Sequence, residues 1–301
     1  MKKLIASTIL QFTLMRFNIF PISVHCWGGF GSQLFAFSLA EQIKKEFPNR
    51  NIRIVFHSSG VTKRKLELKL PPRIYQIIIV DDYNNSNKKL NKKGKASDNR
   101  FLNNVVRRVL KFIGLLAEAN TDAEIAALKP WVTEIRGHYS HRLIPDNVLF
   151  KLLFVLIFSA KTKLPREGYV KNIALHYRLG DLLDLSEKGY IPAEEILNLI
   201  NKNKKDWGIN VIDIFSDSLN DALSMLSGLV LNPKINDPAE TICESLNYKY
   251  FIGTNSKLTI WIVLFRLLLD PNSYNTIPLR LKTEFDFMLN SLSDYPNLRY
   301  F

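Results

Sequence analysis

The chain has 301 residues, 47% hydrophobic and 23% charged, which suits about two folded domains and excludes a disordered tail, a collagen-like fibre or a low-complexity scaffold. Two cysteines, Cys26 and Cys243, exclude a disulfide framework and a Cys-rich zinc site. Lys+Arg number 41 against 28 Asp+Glu, a net +13, and this favours an anionic partner: a nucleotide, a nucleic acid or an acidic membrane surface.

Taken in chain order, residues 4–15 follow Lys2 and Lys3 as a signal peptide would, but Arg16 and a second apolar stretch come next without an A-x-A-like site. Residues 19–56 read as strand, glycine loop, helix and strand. Ile22 and Val24 close the first strand, Gly28, Gly29 and Gly31 make the loop, a helix runs from about Ser32 to Phe47, and residues 51–56 form the second strand. Such a βαβ unit builds a parallel sheet. Residues 77–80 form a short buried strand. Residues 84–100 are polar and carry Lys88, Lys89, Lys92, Lys93 and Lys95; with no aromatic residues interleaved, they read as a solvated loop rather than a nucleic-acid-binding arm. A helix is expected over 103–117, a strand over 134–139 and a helix over 146–158. The charged stretch 161–168, with Pro165 and Gly168, marks the domain boundary, so the domains are 1–160 and 161–301. The apolar segments 148–160 and 258–269 are too short to span about 30 Å as helices, and each holds a cation, so they read as core helices. The expected location is cytoplasmic, with peripheral contact to the inner leaflet.

In the second half, residues 172–176 form a strand, and a helix starts near Pro192 and runs to about Asn203. Strand 211–215 precedes a short helix, 219–227. Asp237, Pro238 and Glu240 spell a capping box. Strand 248–252 leads into an apolar helix, 256–269. The alternation is a doubly wound α/β pattern.

Polar clusters follow three of these strands: His176-Tyr177-Arg178-Leu179-Gly180-Asp181, then Ser216-Asp217, then Gly253-Thr254-Asn255-Ser256. Ligands bind beyond the carboxyl ends of the strands of open α/β sheets, so the three together support one pocket. Arg178 could clamp a phosphate with two charge-assisted hydrogen bonds, or form a structural salt bridge to Asp181 or Asp184. His176 could help hold the phosphate or be a hydrogen-bonded core histidine. Asp181 could be a base or tie down its loop. Asn255 and Ser256 are natural caps, and the same helix start would attract a diphosphate. Asp217 could bind a ribose or sugar hydroxyl, or cap the next helix. The Gly28–Gly31 loop permits close backbone approach to a ligand, but G-x-G-x-x-G, a P-loop, H-E-x-x-H and D-x-D are all absent. No metal site is expected.

These segments resemble the bacterial α-1,2-fucosyltransferases, glycosyltransferase family 11. That family opens on G-G-x-G-N-Q-(L/M)-F, here Gly28-Gly29-Phe30-Gly31-Ser32-Gln33-Leu34-Phe35. Its H-x-R-R-G-D is His176 to Asp181 here, its F-S-D is Phe215-Ser216-Asp217, and its last motif falls on Ile252 to Trp261. Gly137-His138-Tyr139 resembles a further G-Y-x-Q stretch. Ser32 replaces an Asn, Leu179 replaces the second Arg, and Lys257 and Ile260 break the last motif.

The resemblance implies an α/β, GT-B-like fold of two Rossmann-like doubly wound domains facing a cleft, and a metal-independent inverting transfer of L-fucose from GDP-fucose. The acceptor would be a hydroxyl, the 2-OH of a galactoside in surface polysaccharide or O-antigen synthesis, on a glycan or lipid-linked oligosaccharide. GDP-fucose is a substrate, and no cofactor is implied. Gly28, Gly29, Gly31, Gln33, His176, Arg178, Ser216, Asp217, Asn255 and Ser256 would bind the donor, with Arg178 and Asp181 catalytic. The missing second Arg could be replaced by Arg73, Arg136, Arg142 or Arg266, of which Arg142 is preferred; Leu179→Arg would then partly restore, in the double mutant, donor use weakened by Arg142→Ala. The competing readings are a transferase of the same fold with another nucleotide-sugar donor, and a non-catalytic basic module binding membrane or nucleic acid.

Overall fold

The computed structural model describes residues 20–59, 63–69, 75–83, 97–160, 169, 171–183, 189–208 and 210–301. The expectations for residues 4–15, Arg73, the lysines of 84–96, residues 161–168 and Asp184 lie outside them. The chain divides into two compact units, Met1–Arg142 and Leu143–Phe301.

In the first unit, β1 (Ile22–Trp27), α1 (Phe30–Glu46) and β2 (Ile52–His57) form the expected βαβ unit. They are followed by β3 (Gln76–Val80), α2 (Ser97–Phe112), β4 (Leu116–Glu118), α3 (Asp122–Ala126) and β5 (Glu134–Arg136). The sheet order is β3-β2-β1-β5-β4, with every pair parallel. Helix α2 ends earlier than the pattern predicts. Gly114, at φ +76°, turns the chain, and residues 116–118 pair with β5 instead of extending the helix.

The second unit begins with α4 (Asp146–Ala160). It continues with β6 (Lys171–His176), α5 (Ala193–Trp207), β7 (Ile212–Phe215), α6 (Leu219–Met225), β8 (Leu231–Lys234), α7 (Pro238–Ser245), β9 (Tyr248–Gly253), α8 (Lys257–Leu269), β10 (Tyr274–Ile277), α9 (Lys282–Met288) and β11 (Leu298–Tyr300). The division falls after Arg142 rather than after residue 160 because the apolar side of α4 packs on α7 and α8. The other side of α4 leaves Phe150, Phe154 and Phe158 exposed by 53%, 72% and 77%. Among the described residues no helix is long and apolar enough to cross a membrane.

The second sheet is wholly parallel, in the order β8-β7-β6-β9-β10-β11. Numbered from β6, this is 3-2-1-4-5-6, the Rossmann order. The α/β class and two Rossmann-like units expected from the sequence are therefore present. Pro233 sits in β8, an edge strand, where a missing N–H is tolerated. The capping box forms as read: Glu240 N–H donates to Asp237 Oδ1 at 2.8 Å and Asp237 N–H to Glu240 Oε2 at 2.9 Å. Pro192 is the N-cap of α5 rather than its first residue.

Helix α8 is apolar nearly all round and buried, as a central helix should be. Its buried cation, Arg266, donates to Asn275 Oδ1 and to the carbonyls of Ser245, Tyr248, Lys249 and Tyr274. It ties α7, β9 and β10 together, so this candidate substitute cation is structural.

Candidate functional site

The reversal of strand order in the second sheet lies between β6 and β9, which are hydrogen-bonded neighbours. A crevice outside the carboxyl ends of those two strands is where an open α/β sheet binds its ligand. The three predicted clusters leave the sheet there: residues 176–181 after β6, 216–217 after β7 and 254–256 after β9.

Thr254 joins two of the strand exits. Its hydroxyl donates to His176 O at 3.0 Å and accepts from Arg178 N–H at 2.8 Å. Tyr177 N–H donates to Phe215 O at 2.8 Å, continuing the β6–β7 ladder. Leu179 N–H donates to Asp217 Oδ1 at 2.9 Å. The backbone on either side of Arg178 is thus fixed by both neighbouring strands.

The Arg178 guanidinium is held by two carboxylates, Asp181 through Nη2 and Asp217 through Nη1. The salt bridge foreseen to Asp181 exists, and Asp217 forms a second that the sequence did not suggest. Asp217 serves Arg178 and Leu179 N–H, and the N-cap position of α6 is Ser218. The Arg178 side chain keeps 23% of its surface, and a guanidinium carries five donors, enough for two carboxylates and a further anion. Gly180 makes the meeting possible. It lies at φ +29°, and a Cβ there would fall 2.1 Å from Asp217 Oδ2.

His176 is buried, with Nδ1 2.9 Å from Thr259 Oγ1. Burial, then the charge of Arg178, pushes its pKa down to about 3, so it is a neutral core histidine rather than a cation. Unfolded, it titrates near ~6.5. Below that pH only the unfolded chain takes up the proton, so the stability tied to this group falls as pH drops through the window down to about 3. In urea denaturation, the wild type is expected to lose stability relative to His176→Asn by about 1.4 kcal/mol per pH unit between roughly pH 6 and 4. A difference that does not change with pH would mean that the imidazole is exposed or charged in the native state.

Ser256 is the N-cap of α8, accepting from Leu258 N–H at 3.0 Å. Asn255 does not cap; its amide donates to Gly189 O at 3.0 Å and holds the return of the loop after Asp181. Ser216 Oγ accepts from Ser218 N–H at 3.1 Å. The second-unit candidates are therefore assembled at one sheet edge, with the N-terminus of α8 adding its partial positive charge.

The first-unit candidates sit at the start of α1. Gly28, at φ +99°, makes the turn, Gly29 is the N-cap, and Gly31 is already in the first helical turn. Gln33 is buried and its amide serves the backbone: Nε2 donates to Lys65 O at 2.8 Å, and Oε1 accepts from Glu67 N–H at 3.0 Å and Leu68 N–H at 2.9 Å. Its role here is to pin segment 63–69.

Two expectations about cations are corrected. Leu179 is 0% exposed and belongs to the hydrophobic core of the second unit, so its position is not a vacant cation site. Arg142 is buried in the first unit, donating to Gln42 Oε1, Ser38 Oγ and Phe35 O. It anchors α1 and does not substitute for a missing arginine. Arg136 lies over the Trp27 ring, 5.9 Å from its centroid.

Sequence reasoning missed a second polar cluster, on the first sheet. Glu134, His25, His57 and Asp82 form one hydrogen-bonded chain across β5, β1, β2 and the exit of β3. Among the described residues no group of three or more His, Cys, Asp or Glu is arranged to hold a metal ion.

No protein-family model matches the chain, and no curated protein matches it. Among solved structures, a glycosyl transferase of family 9 from Veillonella parvula DSM 2008 shares 12% identity at a TM-score of 0.42, over 85% of this chain and 80% of its own. NodZ α-1,6-fucosyltransferase co-crystallised with GDP shares 12% at 0.43, over 82% and 93%. An α-glucosyltransferase in complex with UDP and a 13-mer DNA shares 10% at 0.44, over 92% and 83%.

Proposed function

We propose that the chain is a glycosyltransferase that moves L-fucose from GDP-fucose to an acceptor hydroxyl with inversion and without a metal. The observation that carries the reading is Arg178 at the β6/β9 reversal, its plane set by Asp181 and Asp217 and the N-terminus of α8 starting from the adjacent strand. In such a transfer negative charge grows on the departing diphosphate, and fixed donors aimed at it lower the barrier. Asp181, ion-paired to Arg178, orients the guanidinium. The acceptor class is a galactoside hydroxyl on a glycan or lipid-linked oligosaccharide, reached by a basic protein lying on the inner leaflet.

A different nucleotide-sugar donor is the second reading. It is favoured by Leu179, which turns into the core where the resembled motif has a second arginine.

The test is thermal stabilisation by GDP-fucose, GDP-mannose, UDP- and dTDP-sugars, in EDTA and with added Mn²⁺, followed by GDP release against galactosyl acceptors. GDP-fucose at about 100 times its Kd is expected to add about 2.7 kcal/mol, and EDTA should change neither binding nor turnover. Stabilisation by another donor alone would select the second reading. No response to any nucleotide sugar, or a strict need for Mn²⁺, would overturn the proposal.

A further inference from the structure

Helix α2 meets the first sheet with its charged side. It lies beside β4, an edge strand of that sheet. Glu118 of β4 accepts from Arg107 Nη2 at 3.1 Å and from Lys111 Nζ at 2.5 Å. Successive helical residues are about 100° apart, so Arg107 and Lys111 share one side, and Val105, Val106, Val109, Phe112 and Ile113 fall on the opposite one. Ile113 N–H still donates to Val109 O at 3.0 Å, which carries the helical path one residue past Phe112. All five apolar side chains are exposed, by 41% to 92%. A helix belonging to the core would turn them the other way. Arg108, also exposed, borders the apolar side. At the far end the Trp131 indole donates to Ile113 O at 2.7 Å. Exposed Lys129 stands beside it; a Cβ on Gly114 would lie 3.2 Å from Trp131 Nε1 and 2.9 Å from Lys129 Cγ.

Charge and area select what covers this face. Between residues 84 and 117 the sequence carries nine Lys and Arg and a single acid, Asp98. Surroundings of one sign call for an anionic partner. A second copy of the chain fits poorly, because a two-fold pairing brings the same cations together. One face of a helix about 24 Å long and 10–12 Å wide also covers only on the order of 300 Å², against about 800 Å² per partner in a stable protein interface. A bilayer needs no such area. A helix with one apolar side, a cationic opposite side and an aromatic at its end settles in the plane of the interface, its apolar side about 5–10 Å deep. With 16 residues and cations on one side it is not a span.

We propose that α2 is a membrane-docking helix that lies in the surface of an anionic bilayer. Val105, Val109 and Phe112 enter the boundary between headgroups and acyl chains, and Arg108 and Lys129 meet the lipid phosphates. The Glu118 pairs hold the helix on β4 by its other side, so the apolar side is presented without the helix leaving the sheet. The inference rests on the glycosyl-transfer reading for what the contact serves, access to a lipid-linked acceptor; lipid binding itself needs no nucleotide sugar.

The full chain is mixed with vesicles of phosphatidylcholine alone and of phosphatidylcholine with phosphatidylglycerol, and bound protein is separated by flotation. The wild type should bind the anionic vesicles at least about tenfold more tightly, by a margin that shrinks as salt is raised. Val105→Ser, Val109→Ser and Phe112→Ser together should weaken that binding at least about tenfold, and Arg108→Glu at least about fivefold. The four side chains are exposed, so circular dichroism melts of both variants should match the wild type. Equal binding to the two vesicle types, or anionic binding that survives in the triple variant, would overturn the proposal. So would a concentration-dependent dimer, seen by sedimentation velocity, that the triple variant abolishes. Phe150→Ser, Phe154→Ser and Phe158→Ser test the exposed row on α4; binding lost there and kept in the α2 variant would place the contact on α4 and overturn the assignment to α2. A wild type that binds anionic vesicles through α2 and responds to no nucleotide sugar fails the transfer reading and supports the lipid contact.

Discussion

Arg178→Ala is expected to lower kcat for sugar transfer by about 10²–10³, the usual effect of removing one preorganised transition-state donor. Losing the cation also leaves Asp181 and Asp217 facing each other without it, so the edge that should attract a diphosphate becomes repulsive. Donor affinity should fall with kcat. Lysine should rescue poorly, because one ammonium cannot span two carboxylates and a diphosphate in a fixed plane. Adding Asp217→Asn to Arg178→Ala should recover part of the donor affinity by removing one negative charge. GDP-release kinetics and calorimetric donor binding check all three variants. Near-normal turnover in Arg178→Ala would assign the residue to holding its loop and nothing more.

Leu179→Arg carries the largest expected loss of stability. The resemblance to a two-arginine motif suggests that arginine here would repair the site. The side chain instead lies in the hydrophobic cluster with Ile173, Tyr177, Ile191, Ile196 and Leu226. An uncompensated buried charge costs about 3–5 kcal/mol. For a unit of this size the corresponding fall in Tm is on the order of 10 °C. Far-UV circular dichroism melts of the variant should show it without any gain in donor use. A variant as stable as wild type would mean that the new guanidinium escapes to the strand edge. Arg142→Ala, by the same reasoning, should cost stability in the first unit and leave donor binding unchanged.

The parts of this arrangement that were legible in the sequence are those written in short segments. The βαβ start, the capping box at Asp237–Glu240 and the three polar exits after β6, β7 and β9 each depend on neighbours within a few residues. What escaped depends on which strands lie side by side. Asp217 reaches Arg178 and the Leu179 N–H only because β7 pairs with β6. His25 and Glu134, 109 residues apart in the chain, meet only because β1 pairs with β5. Strands β8, β10 and β11 carry too little alternation to be read locally; Pro233 even argues against β8 until its position at the sheet edge is known.

The row of phenylalanines on α4 bears on how the protein is assayed. Three exposed rings spaced four residues apart on one helix offer an environment-sensitive dye such as ANS a place to bind before anything unfolds. A dye-reported melt should therefore begin with high fluorescence, and a nucleotide sugar could alter that baseline without altering stability. Intrinsic tryptophan emission avoids the ambiguity. Of the four tryptophans, Trp27 and Trp131 report on the first unit and Trp207 and Trp261 on the second, so phenylalanine or leucine replacements at one pair make the other a readout for its own unit.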